Sequence, residues 1–219
     1  MLRHLNRDRK DHGLTALFMQ DDLRLVARKH SRDMAKKDYF EHEDQLGRGH
    51  PHRYKVAGIT EVISGENLAK IGGFSHPVER AENGLMNSPG HRRNILNSSF
   101  NCVGVGVHKS ETKVYYFTQN FAYRALIITN KIPDRVSLNK GLQLKFYPAK
   151  KVRMGLYRVK LGTQLIKEKS FPVKTDKNFL QIHFPDRGLY RVEIFTSETD
   201  NSYQLCNIID LSVRTGMFW

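Results

Sequence analysis

Side-chain chemistry and backbone punctuation coincide in Asn87-Ser88-Pro89-Gly90-His91-Arg92-Arg93-Asn94-Ile95-Leu96. Ser88 suits the N-cap of a helix and Pro89 its first position, since a hydroxyl can accept from an orphan N–H and proline has none to lose. His91 then falls in the first turn. There the positive end of the macrodipole disfavours imidazolium, leaving a neutral ring able to take a proton or bind a metal. A plainer role stands beside that one, a histidine that caps or packs. A nucleophilic Ser88 is disfavoured, because an N-cap oxygen is already committed to backbone N–H groups.

Other candidates lie upstream. His42 follows Asp38-Tyr39-Phe40-Glu41 and precedes Glu43-Asp44, a polar run after two aromatics that suggests a loop leaving the core to line a cleft. Glu66, in Ser64-Gly65-Glu66-Asn67-Leu68-Ala69, reads either as a helix-start carboxylate or as a functional acid, following a glycine that lets the backbone approach a neighbour closely. His30 shares an apolar helical face with Leu23, Val26, Ala27 and Met34, the setting of a hydrogen-bonded structural histidine. His50 and His52 sit among Gly47, Gly49, Pro51 and Gly58, as solvated loop residues or as additional metal ligands around a short helix.

The elements that must position these groups follow from periodicity. Leu2, Leu5 and Arg9 share one face of a helix running through His12 and stopped by Gly13. Asp21 or Asp22 is the expected cap of a stronger second helix, and Pro77 to Met86 reads as a third. Val103–His108 and Val114–Phe121 alternate as two strands joined by residues 109–113. Gly104 and Gly106 clear one face of that hairpin for a closely packed helix. Helices flanking a hairpin-based sheet give an α+β, α-β-α sandwich. From Arg124 the pattern changes to seven short runs: Ala125–Asn130, Leu142–Tyr147, Val152–Lys160, Thr163–Lys169, Asn178–Phe184, Gly188–Thr196 and Tyr203–Val213. These predict an all-β, immunoglobulin-like sandwich with no catalytic grouping of its own. The expected division is residues 1–123 and 124–219.

Ser88-Pro89-Gly90-His91-Arg92 followed by Asn94-Ile95-Leu96, with Gly65-Glu66-Asn67-Leu68-Ala69 upstream, resembles the CAP superfamily of cysteine-rich secretory, antigen 5 and pathogenesis-related 1 proteins. The likeness is to its disulfide-poor bacterial SCP-like, or YkwD-like, branch and runs from about Leu2 to Phe121. Asn6 and Arg9 match that family's Asn-x-x-Arg. The resemblance implies a cavity holding His42, Glu66 and His91. Leu85 stands where the family usually has Trp, and Ser88 where many members have a second glutamate. The implied four-residue site of two His and two Glu is therefore incomplete.

Composition narrows the function. The chain of 219 residues carries 36 Lys+Arg against 22 Asp+Glu, a net charge of +14. Residues 1–124 contribute 20 against 14, or +6, and residues 125–219 contribute 16 against 8, or +8. Such a field favours anionic envelope components, lipid or glycan, while the scattered basic residues point away from specific nucleic-acid recognition. No transmembrane run is present, and oligomeric state is left open. The two cysteines, Cys102 and Cys206, read as buried free thiols, with a single bridge as the alternative. The opening Met1-Leu2-Arg3-His4 lacks an apolar leader. The family resemblance favours an extracellular or envelope protein whose leader was removed. The expected function is a binding protein whose His/Glu-lined cleft takes a lipid, glycan or protein partner, with the β-sandwich as accessory domain. The alternative is a divalent-metal-assisted hydrolase in which His42 and His91 hold zinc or a similar ion and Glu66 deprotonates a bound water.

Overall fold

A computed structural model describes residues 1–199 and 202–215; residues 200, 201 and 216–219 of the expected second domain lie outside the described residues. The chain clusters into two units, Met1–Ile59 with Ile63–Tyr123, and Thr60–Val62 with the chain from Arg124 onward.

The first unit runs α1 (Leu2–Asp11), β1 (Phe18–Met19), α2 (Asp21–Lys37), α3 (His50–Val56), β2 (Ser64–Ile71), α4 (Pro77–Asn87), α5 (Pro89–Ile95), β3 (Cys102–Lys109) and β4 (Tyr115–Ala122). Its sheet has the order β1-β3-β4-β2. Side chains alternate across it, so two cores form. On one face Val103, Phe117 and Phe121 meet Leu5, Ala81, Leu85 and Ile95 of α1, α4 and α5. On the other, Cys102 and Ala122 meet Leu23 and Val26 of α2 with Tyr54 of α3. This is the α-β-α sandwich expected.

The glycine reading of the hairpin holds in detail. A Cβ on Gly104 would sit 2.1 Å from the Leu23 backbone, and one on Gly106 would sit 2.2 Å from that of Ala27. Helix α2 lies that close to the sheet because those side chains are missing. Its cap differs from expectation: Gln20 holds the N-cap, and both aspartates fall inside the first turn, where Asp22 Oδ1 accepts from Leu23 N at 2.7 Å. Their charge still complements the macrodipole.

Two α1 side chains fasten the opposite layer. Asn6 donates to the Leu17 carbonyl at 3.1 Å and accepts from its N–H at 2.9 Å. Arg9, fully buried, donates to the carbonyls of Thr15, Ile95, Asn97 and Phe100 over 2.7–3.2 Å. The guanidinium thereby satisfies carbonyls at the end of α5 that have no helical partner. α1 ends at Asp11 and the following Gly13 takes φ +72°, as a left-handed stop requires.

The second unit holds β5 (Leu126–Ile128), β6 (Arg135–Ser137), β7 (Leu142–Pro148), β8 (Met154–Leu161), β9 (Gln164–Pro172), β10 (Asn178–Ile182), β11 (Gly188–Ser197) and β12 (Gln204–Arg214). They form two sheets, β10-β7-β5 and β6-β12-β11-β8-β9, as expected of a β-sandwich. Inward positions such as Leu142, Leu144 and Phe146 on β7 and Tyr157 and Val159 on β8 alternate with exposed ones. Strand β6, three residues long, is too short to have shown an alternating pattern. Residues Thr60–Val62 join this unit through an antiparallel bridge of Glu61 to Asn207 on β12, and Glu61 pairs with buried Arg124 at 2.7 Å. Cys102 and Cys206 are free and buried, and burial pushes the Cys206 thiol up to about 12.

Among the described residues no helix is long and apolar enough to cross a membrane.

Candidate functional site

Glu66 lies on strand β2, not at a helix start. Its strand is buried on both faces, which hides the alternation that would have identified it. Pairing with Asn120 on β4 turns Glu66 toward α2 and α3, and sends Asn67 to the α5 side.

The carboxylate is almost completely buried, its side chain 1% exposed, and both oxygens are used. Oε1 accepts from His42 Nδ1 at 3.0 Å, and Oε2 accepts from an Arg53 Nη at 2.6 Å. With its amide turned, Asn120 donates to Oε2 at 3.1 Å and accepts from Ala27 N. Burial pushes the Glu66 pKa up, but the His42 hydrogen bond and the charges of Arg53 and His30 prevail and hold it below the ordinary value. His42 responds in kind. Its bond to Glu66 raises its pKa against a smaller effect of burial, so the contact favours the imidazolium form.

His42 sits on the connection between α2 and α3, which is tied internally. Asp38 ends α2 in the left-handed region, φ 50°, and accepts from the Tyr116 hydroxyl at 2.9 Å. Asp44 accepts from the N–H groups of Leu46 and Arg48. Arg53 donates to the carbonyls of His42 and Arg48 at 3.0 and 2.9 Å while gripping Glu66. One guanidinium therefore holds both the buried acid and the loop that carries its histidine. Sequence reasoning missed Arg53. The available signal was the acid itself, since a buried carboxylate demands a cation.

His91 lies in the first turn of α5, as expected, with Ser88 at the N-cap position and Pro89 following. Ser88 makes no side-chain capping bond; its carbonyl accepts from Arg92 N at 2.8 Å, so the hydroxyl does not have the role predicted for it. The His91 pKa is lowered, but burial is the leading cause and the charge of His42 the second. The structure thus joins His42 to Glu66 directly and brings His91 within reach of the His42 charge. It ties the His91 carbonyl to Asn67 Nδ2 at 3.1 Å. From Asn67 a buried amide chain runs to Asn94 Nδ2 at 2.9 Å, to Gln119 Oε1 at 3.1 Å and on to Glu82 Oε2 at 2.9 Å. His30 is buried and bonded to the Glu41 carbonyl at 3.1 Å, the structural part expected of it. His50 is no solvated loop residue: it opens α3, packs edge-on against Tyr54, and burial lowers its pKa. A groove of about 310 Å³ between α2 and α3 adjoins the site at Arg53 and is lined by Lys29, Asp33, Arg48 and His52 among others.

The donor set does not fit a catalytic zinc. His42 and His91 are two imidazoles where three protein ligands are usual, and Glu66 has both oxygens engaged beside a cationic Arg53. Among the described residues no group of three or more His, Cys, Asp or Glu side chains is placed to hold a metal.

Residues 2–121 match the cysteine-rich secretory protein family, CAP. The chain belongs to that family. Its CAP domain is 38% identical over 116 residues to the Bacillus subtilis protein YkwD, covering 53% of this chain and 43% of that protein. It is 34% identical over 116 residues to the Bacillus subtilis membrane protein YlbC, covering 53% of this chain and 31% of that one. The chain thus spans less than half the length of the curated relatives it matches. Among solved structures, an outer surface protein from Borrelia burgdorferi is similar at a TM-score of 0.51 and 21% identity, over 56% of this chain and 89% of that one. An extracellular SCP-domain protein from Bacillus anthracis reaches 0.48 at 32% identity, over 55% and 38%. The YkwD similarity places this CAP domain in the bacterial SCP-like branch.

Proposed function

We propose that the protein is an extracellular or envelope-associated CAP-domain protein that binds a lipid, glycan or protein partner through the cleft of His42, Glu66, Ser88 and His91, with the β-sandwich as accessory domain. The observation that carries this reading is the double engagement of Glu66. A carboxylate held by an imidazole at 3.0 Å and a guanidinium at 2.6 Å is a preorganised anchor, not a free base. What faces outward is His42, 54% exposed, whose second ring nitrogen is left to donate to a ligand. His91, kept neutral, offers a ring nitrogen as acceptor. The secretory character of the family and the net charge of +14 support an envelope location and an anionic partner.

The test is a binding screen of the full chain against anionic and zwitterionic lipid vesicles and envelope glycans at low and high salt. Cleft binding survives high salt, because paired contacts are screened less than long-range attraction, and weakens about tenfold in His42→Ala. Binding that is indifferent to both His42→Ala and His91→Ala would place the ligand elsewhere. Calorimetric zinc titration of the chain and of His42→Ala separates this reading from the metal-assisted hydrolase. The hydrolase requires zinc uptake at physiological concentration that depends on His42.

A further inference from the structure

We propose that the second unit carries a binding site for an acidic glycan, in the groove where Phe146, Phe171 and Phe179 are bordered by Lys174 and Lys177. The groove holds about 350 Å³ and lies in the second unit alone, so the proposal stands apart from the CAP cleft. It occupies the open side of the sandwich, where the chain leaves β9, the edge of one sheet, for β10, the edge of the other.

Its floor is rigid. A Cβ on Gly155 would fall 2.2 Å from the Phe171 ring, so the ring occupies the space that residue leaves on β8. Phe171 also meets Phe146 edge-on at 6.0 Å between centroids. Phe179 differs from both. Asn178 pairs with Phe146 across β10 and β7, so the next residue turns to the outer face, and Phe179 is 57% exposed. Phe179 also lines the groove, and its free face at the groove's mouth can stack on the C–H face of a pyranose ring and bury it from water.

The rim supplies the charge. Asn178 fixes the linking turn, accepting from Lys174 N at 2.8 Å and donating to the carbonyls of Lys174 and Asp176 at 3.0 Å each. Lys174 and Lys177 are thus carried on an ordered turn. Among the described residues neither ammonium has an ion-pair partner, and no carboxylate lines the groove. The surrounding residues 125–219 carry +8, which draws in a polyanion before the groove selects it. A sugar polymer with carboxylates matches ring and lysines together. Single-stranded nucleic acid requires successive stacking rings along a basic track, and this groove presents one outward ring.

The test uses the full chain and calorimetry at about 0.15 M salt, where long-range attraction is damped. The probes are an oligogalacturonate, its methyl ester and an oligothymidylate. The site predicts binding of the acid, with the ester weaker by about tenfold through loss of its charge contacts. Phe179→Ala and the double variant Lys174→Ala/Lys177→Ala each lose about tenfold, while Lys151→Ala/Arg187→Ala, which removes the same charge elsewhere, stays within about twofold. Phe179→Leu, which keeps apolar bulk without the ring, repeats the loss and separates stacking from folding. The proposal is overturned by an equal loss in the control pair, by equal affinity for the ester, by tighter binding of oligothymidylate through the same residues, or by no binding of any probe.

Discussion

Glu66 and Asn67 are consecutive on β2, yet they enter polar systems of different kinds on the two faces of one sheet. On the side of α2 and α3, Glu66 is held by a guanidinium and an imidazole, and the imidazole, His42, stands 54% exposed. On the side of α4 and α5, Asn67 meets Asn94 and Gln119, and the chain closes on buried Glu82. Burial raises Glu82 to about 8, with the charge of Asp8 adding to it, so this acid is neutral at pH 7 like the amides it joins. The comparison separates two tasks. The ionic face ends in an exposed imidazole that a ligand can meet; the amide network ends in buried Glu82 and holds the backbone at His91.

Removing the shared cation is the most severe way to break this contrast. Arg53→Met leaves Glu66 ionised, buried and without its guanidinium, and also releases the loop carrying His42. The expected cost is ~3–5 kcal/mol in urea unfolding. A loss below about 1 kcal/mol would mean that the face is not held together by charge.

On the amide face the sign runs with pH. Because the folded pKa of Glu82 lies above its unfolded value, folding is favoured at low pH and the advantage is lost as pH rises from 4.5 through about 8. Glu82→Gln removes that decline, with a gain on the order of 2–4 kcal/mol over the parent by pH 8. Denaturation midpoints followed from pH 5 to 9 should therefore flatten in the variant. Parallel curves would show that Glu82 is ionised in the fold.

A smaller effect sharpens the division. Asn67→Ala leaves Gln119 and Asn94 each short of a partner, at a cost of ~1–3 kcal/mol. It shifts the backbone resonances around His91 and leaves the titration of the His42 ring unchanged. A change in His42 would mean that the two faces are coupled through the sheet.

Much of this was legible because particular residues had no other use. Gly104 and Gly106 alternate on a strand that would otherwise carry side chains, and they foretell the approach of α2. His42, Glu66 and His91 are marked by their neighbours and by family resemblance. Arg53 itself carried no mark, since one arginine in a loop-to-helix segment of a chain with 36 basic residues looks like any surface charge; only the need of a buried Glu66 for a cation pointed to such a partner. Glu66 was ambiguous because both faces of its strand are buried. Ser88 misled because the cap preference describes a position, and here the hydroxyl makes no capping bond. The contribution of Thr60–Val62 to the second unit's sheet rests on pairing with β12, nearly 150 residues away, where local pattern has no reach.

The central claim is that buried, ionised Glu66 raises the pKa of His42 at the rim of the cleft. NMR titration of the histidine rings tests it most directly. The Glu66 pKa lies below 4.5 and that of His42 above 6.5, so the pair is fully ionic between them: it fades as pH falls through the folded value of Glu66 or rises through that of His42. The account predicts a His42 midpoint above 6.5 that drops in Glu66→Gln, and a His91 midpoint below 6.5. A His42 midpoint at or below 6.5 in the unaltered chain, or one unmoved by Glu66→Gln, would contradict it.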